Sequence, residues 1–307
     1  MSNLQWFLVI FAWSSVFIFV VGAAYKAIKF SAMPLNLRWD LYPVPHETTK
    51  EKRHFGGSYM EEMDWAKHEP HKSVSGFVHE LLEMGSEIFF LKRVREYNRF
   101  GLWPFSMAMH WGIYLFFGWL FLLVVEAVLR IDAISPITNI VGVVSVILGA
   151  FGCLTLMLKR ATNEELKLYT EPVEYFNLLL LFSIFAMGII SWRVDPSFMD
   201  ARRYVAGIIF FNLSPVTPVV MVTFLLFGLF LIYMPFSKYL HYLAKYFLFH
   251  KSLWDDAFKT KDSEMDKKVL KQLGYKVGWS GPHIATGKTW LENAQDLVLE
   301  EKKGAKK

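Results

Sequence analysis

Two of the nine histidines in this 307-residue chain stand inside or beside apolar blocks, although the second, His241, taken alone reads as an interfacial residue. His110 lies four residues into an apolar block, in Met107-Ala108-Met109-His110-Trp111-Gly112, where an ionisable group is costly and usually functional. His241 follows the end of another apolar block by about one turn, in Pro235-Phe236-Ser237-Lys238-Tyr239-Leu240-His241-Tyr242. The other seven (His46, His54, His68, His71, His79, His250 and His283) sit in polar stretches that solvation explains. His68 and His71 could share a metal, but Pro70 breaks helical spacing between them and no third ligand is evident. A span histidine also has a plain use, as a hydrogen-bond partner for a neighbouring helix. Two neutral imidazoles at one depth on two helices have a sharper one. They can be the trans axial ligands of a haem iron, each offering one ring nitrogen while the other donates to a carbonyl.

Whether the two share a depth depends on the elements that carry them. Five nearly charge-free blocks of roughly 19–23 residues run over Leu4–Tyr25, Met107–Leu129, Ile137–Leu158, Glu174–Trp192 and Val216–Ser237. At 1.5 Å per residue each can cross about 30 Å of hydrocarbon as a helix. The composition agrees, with 54% hydrophobic and 17% aromatic residues and a mean hydropathy of +0.29. The first block lacks the basic n-region and cleavage pattern of a secretory signal and reads as a retained helix. Segments 26–106, 159–172 and 238–307 hold 29 of the lysines and arginines, against four (Arg130, Arg193, Arg202, Arg203) in the other connections. The positive-inside rule then places the N-terminus outside and the C-terminal tail in the cytoplasm. The expected fold is an all-α membrane protein, a five-transmembrane-helix bundle with cytoplasmic amphipathic segments. The second span enters from the cytoplasm and the fifth returns to it, so His110 and His241 fall at the same inner depth.

Residues 1–25 thus form the first span, 26–106 a cytoplasmic loop, 107–237 the remaining bundle and 238–307 a cytoplasmic tail. Val74 to Asn98 alternates apolar and charged residues at helical spacing, as an amphipathic helix on the membrane face would. The tail is expected to begin as a helical continuation of the fifth span. The single cysteine, Cys153, excludes internal disulfides, Cys-x-x-Cys-His haem attachment and cysteine-ligated iron–sulfur clusters. The net charge of +5 follows from topology and points to no nucleic acid. Gly287-Lys288-Thr289 is not a phosphate loop, because position 282, five before Gly287, is proline.

At the inner depth, Lys159 and Arg160 close the third span, where ordinary membrane anchoring and neutralisation of haem propionates are equally good uses. Gly112 and Gly118 would let a flat macrocycle approach the second helix. Glu126, about 24 Å along that helix from His110, and Glu174 with Asn177, early in the fourth span, are the polar groups of the spans able to pass protons, which become candidates for quinone protons under the resemblance below. Helix-end polarity explains Glu174 equally well.

Three stretches, Met109-His110-Trp111-Gly112-Ile113, Leu156-Met157-Leu158-Lys159-Arg160 and Pro235 to His241, resemble the haem b membrane (gamma) subunit of respiratory nitrate reductase and its relatives. The relatives include cytochrome b subunits of heterodisulfide-reductase-like (Hdr-like) complexes and of the sulfite-reduction-associated complex. Glu87-Ile88-Phe89-Phe90-Leu91-Lys92 with Trp103-Pro104-Phe105 is most similar to the sulfite-complex type. The resemblance implies that His110 and His241 ligate haem b and that menaquinol or menaquinone is the membrane substrate. It also implies a cytoplasmic iron–sulfur partner subunit, further complex subunits, and a place in the cytoplasmic membrane of a prokaryote. Two positions depart from it. The family's second haem uses histidines where this chain has Leu120 and Thr223, so one haem is expected. A competing expectation from a different class is a haem-free membrane anchor or small transporter in which the histidines are structural.

Overall fold

A computed structural model of the chain describes residues 1–33, 74–250 and 261–296. In chain order the helices are α1 (Asn3–Ala32), α2 (Val74–Phe90), α3 (Lys92–Glu96), α4 (Trp103–Leu129), α5 (Ser135–Thr162), α6 (Glu164–Leu168), α7 (Pro172–Val194), α8 (Met199–Ile209), α9 (Pro218–Tyr233), α10 (His241–Leu248) and α11 (Glu264–Leu273). Among the described residues no strand forms, and β pairing is limited to two isolated bridges, Lys276 with Thr289 and Gly281 with Ile284. The chain divides into two compact units, Met1–Ala24 with Leu81–Leu240, and Tyr25–Glu80 with His241–Lys307.

The first unit holds the bundle. Five helical segments, Asn3–Ala32, Trp103–Leu129, Asp132–Thr162, Pro172–Val194 and Pro218–Phe236, are long and apolar enough to cross a membrane. They coincide with the five apolar blocks and extend most of them by a turn or more. Four open with a proline in the first turn, Pro104, Pro136, Pro172 and Pro218, where its missing N–H has no intrahelical partner to lose.

Lipid tails are as apolar as leucine, so helices in a bilayer associate through close packing rather than by escaping water. The α4–α5 crossing meets that demand with glycines. A Cβ added to Gly112 would lie 2.4 Å from the Gly149 Cα, and one on Gly152 2.3 Å from the Met109 backbone nitrogen. The two backbones therefore touch at Met109 and Gly112, immediately before and two residues after His110. This corrects one expectation: Gly112 is closed by α5 and leaves no room for a macrocycle, whereas Gly118 faces open space. Around the crossing the core is aromatic, with Phe116 set edge-on to Phe185 at 5.8 Å and against Phe227 at 5.4 Å.

The amphipathic segment is shorter than its pattern suggested. α2 stops at Phe90 because Leu91 turns left-handed (φ 48°), and the chain resumes in α3. A helix end leaves its last carbonyls without intrahelical donors. Here three side chains supply them: Tyr114 Oη donates to Ile88 O (2.9 Å), Trp111 Nε1 to Phe89 O (3.0 Å) and Trp103 Nε1 to Phe90 O (2.8 Å). α4 thus grips the end of α2 along its own first three turns.

The fifth span does not continue straight into the tail. After Tyr233 the chain makes two tight turns, Met234–Phe236 and Lys238–Leu240, with Ser237 extended between them. Pro235 supplies no N–H to prolong α9, and its ring packs where a Gly22 side chain would stand. In the second unit, Phe30 meets Phe247 at 6.0 Å. A small module there joins α11 to a turn in which Val277 N donates to Lys288 O and Gly287 N to Val277 O, both at 2.8 Å. Thr289 and Glu292 cap each other's backbone at the next helical stretch, so Gly287-Lys288-Thr289 is a turn and a cap. His68 and His71 lie outside the described residues.

Candidate functional site

His110 sits in the second turn of α4, half-buried. Its Nδ1 lies 2.7 Å from the carbonyl of Ser106, one turn earlier. A carbonyl can only accept, so Nδ1 carries a proton; in the neutral ring this puts the lone pair on Nε2, the tautomer an iron ligand needs. The Tyr114 ring stands edge-on at 6.2 Å, and Phe89 packs against both Trp111 and Tyr114. The clamp that ends α2 is therefore also a wall of the histidine's surroundings. His241 is the first residue of α10, exposed and in the second unit, so its pairing with His110 is a matter for proposal.

At the same end of the bundle, α5, α7 and the turn after α9 meet in an ionic chain. Arg160 Nη1 reaches Glu174 (3.2 Å) and Thr170 Oγ1 (3.3 Å), and Lys238 Nζ reaches Glu171 (2.7 Å) and Glu174 (3.4 Å). The Lys238 hydrogen bond and charge hold the Glu171 carboxyl below its ordinary range, and Glu171 raises the Lys238 ammonium in return. Arg160 Nε is buried and has no partner among the described residues. Lys159, by contrast, is spent on structure: its Nζ donates to Phe100 O at 3.1 Å and lies 5.1 Å over the Phe105 ring, pinning the start of α4 to α5. One helical turn deeper, Asn177 is buried and bridged to the fifth span, with Tyr233 Oη on its Oδ1 (3.0 Å) and Tyr239 Oη on its carbonyl (2.5 Å).

Glu126 occupies the opposite end. Its carboxylate is 6% exposed and takes a two-pronged contact from Arg202 of α8, Nε at 2.6 Å and Nη2 at 3.3 Å, with Thr138 Oγ1 donating at 2.5 Å. Arg202 also donates to the carbonyls of Ser197 and Ser135. α8 is itself anchored by Asp195, which accepts from Ser197 and from Asp200 N. Burial pushes that carboxyl up, but the Ser197, Asp200 and Met199 hydrogen bonds outweigh it and hold it below the usual range.

The structure therefore joins Arg160 to Glu174, separates both from Glu126, and finds for Glu126 a partner that sequence reasoning missed. Arg202 did leave a signal, as a cation on the cation-poor side of the bundle, a place where arginine needs a carboxylate. Trp103 and Trp111 stand in stretches that the sequence offers only for their resemblance, and nothing in it marks them or Tyr114 as donors, since aromatics near a membrane boundary are ordinary. Among the described residues no three histidine, cysteine or acidic side chains gather into a metal site, a test that does not bear on a cofactor held by two ligands. Comparison with protein-family models, with characterised proteins and with solved structures returns no match. The bundle and its contacts are thus the ground on which function has to be argued.

Proposed function

We propose that this chain is the haem b-carrying membrane subunit of a respiratory complex, of the nitrate reductase gamma-like family. In this reading it moves electrons between menaquinol and a cytoplasmic iron–sulfur subunit in the cytoplasmic membrane of a prokaryote. The observation that supports it most is His110: an imidazole inside a span whose Nδ1 proton is committed to Ser106, which directs the basic Nε2 outward from the helix backbone.

His110 and His241 would hold the iron, and Arg160 would hold a propionate, because its buried Nε is a donor without a partner among the described residues. A haem bound there supplies reversible one-electron transfer at membrane depth. Every other role falls to the chain itself. Glu174 shares Arg160 and Lys238, is 26% exposed, and stands at the same end as His110, and in this reading it accepts the quinol proton. Glu126 is about 24 Å away along α4 and already neutralised by Arg202, and its part in this reading is to hold the far end of the bundle together.

A reduced-minus-oxidised spectrum with pyridine haemochrome quantification on the purified chain tests the proposal. One b haem per chain, lost in both His110→Ala and His241→Ala, is the expected result. Two haems would require a ligand pair beyond these residues. None would overturn the electron-transfer reading in favour of a haem-free anchor or transporter.

A further inference from the structure

The end of the bundle farthest from His110 contains a cavity of about 540 Å³, between the close of α4, the opening of α5 and α8. That is within the range of about 300–1,000 Å³ typical of small-molecule sites, and its wall has their character, apolar surface with a few convergent polar groups. Leu123, Ala127 and Ala206 supply apolar wall, while Glu126, Asp132, Asn139, Arg202 and Arg203 supply the polar groups.

The polar groups are not equally committed. Glu126, Arg202 and Thr138 satisfy one another, and the remaining Arg202 donors go to the Ser197 and Ser135 carbonyls. Asn139 Oδ1 is buried and has no partner among the described residues, which is a cost a native structure rarely carries without a ligand or water to relieve it. Asp132 adds an exposed carboxylate at the same wall. Arg203, 58% exposed and in a loose 3.4 Å contact with Asp200, sits at the rim. The wall thus offers acceptors, and the rim a guanidinium.

The cavity also lies where α4 and α5 reach the limits of their spans, at the level of lipid headgroups. We propose that it seats the headgroup of a phospholipid with a primary ammonium, such as phosphatidylethanolamine. The ammonium donates to Asn139 Oδ1 and Asp132, and the phosphate faces Arg203. A trimethylammonium head has no N–H to give, and a glycerol head has no positive charge for Asp132, so neither replaces it. The proposal does not depend on haem.

The test is native mass spectrometry of the delipidated full-length chain titrated with palmitoyl-oleoyl phosphatidylethanolamine, phosphatidylcholine or phosphatidylglycerol. The expected result is adduct formation with the ethanolamine lipid at about tenfold lower concentration than with the others, the weight of one charge-assisted hydrogen bond. Asn139→Ala and Asp132→Asn should each bring the three lipids close together. Asp132 is exposed, so its variant keeps the test sound if Asn139→Ala folds poorly. Equal adducts for the three lipids, or a preference that survives both substitutions, would overturn the proposal. So would displacement of the ethanolamine lipid by menadiol at equal concentration, which would assign the cavity to a hydroquinone.

Discussion

The two ends of the bundle carry the same pair of residue types and use them in opposite ways. At one end Arg202 and Glu126 are 14% and 6% exposed, meet through two nitrogens, and are closed by Thr138 and two carbonyls. At the other, Arg160 and Glu174 are 27% and 26% exposed and share a single 3.2 Å contact, with Lys238 competing for the carboxylate and Arg160 Nε left over. Burial explains the contrast. A desolvated ion pair is tolerable only when every donor and acceptor is met, which makes it a lock. A half-exposed pair is stabilised by water and has capacity to share with a ligand. The open end is also the end with the histidine.

The widest separation between the ends comes from His110→Ala, which under the proposed haem reading loses the b-haem spectrum completely, with the α4–α5 crossing left intact and the chain still folded. Retention of haem in that variant would remove the cofactor from this end altogether.

At the locked end, Glu126→Gln should lower stability by about 3–5 kcal/mol, because Arg202 is left as a buried, uncompensated charge. Thermal unfolding in detergent followed by tryptophan fluorescence measures it. The double replacement Glu126→Leu with Arg202→Met should recover most of the loss, since apolar residues of similar volume often substitute for a buried pair without cost. If the double variant is as damaged as the single one, the pair does more than lock the helices.

Arg160→Lys sharpens the comparison from the open side. The substitution keeps the charge and the reach to Glu174 but deletes Nε, so about tenfold weaker haem retention during titration with a competing apo-globin is expected, with unfolding temperature nearly unchanged. Equal losses of stability and haem would make Arg160 a second lock.

The smallest effect belongs to the exposed Glu171–Lys238 contact. Glu171 has a lowered pKa in the folded state, so its contribution is present above the unfolded value of about 4.3 and lost as pH falls through the folded one. Lys238 has a raised one, so its share is present below about 10.4 and lost as pH rises through the folded value. Glu171→Gln should therefore differ from the parent most fully between these limits and less beyond them, slightly throughout, and less at high salt. An effect that persists at 1 M salt would mean the contact is less exposed than its geometry implies.

Much of this fold was legible beforehand, because a bilayer imposes its thickness on any chain that crosses it. Twenty uninterrupted apolar residues admit few structures other than a spanning helix, and all five blocks obeyed. The amphipathic pattern predicts one helix over 74–98, and the structure breaks it at Leu91, since that stop depends on donors from Trp103, Trp111 and Tyr114, up to 24 residues on from Phe90. The tail does begin as a helix, as expected, but Pro235 separates that helix from the fifth span by two tight turns. Gly112 matters for its missing side chain, as the sequence suggests, but its neighbour is Gly149 of α5.

What the amino-acid sequence determined by itself was the number of spans, the basic side of the bundle, and the presence of an imidazole and two carboxylates inside apolar helices. Each follows from solvation, which acts on a residue through its own immediate chain. Only the tertiary structure decided which partners those groups have: Ser106 for His110, Arg160 for Glu174, Arg202 for Glu126. Partnership depends on which faces of which helices meet, and that is settled by close packing at places such as Gly112 against Gly149, a contact between residues far apart along the chain.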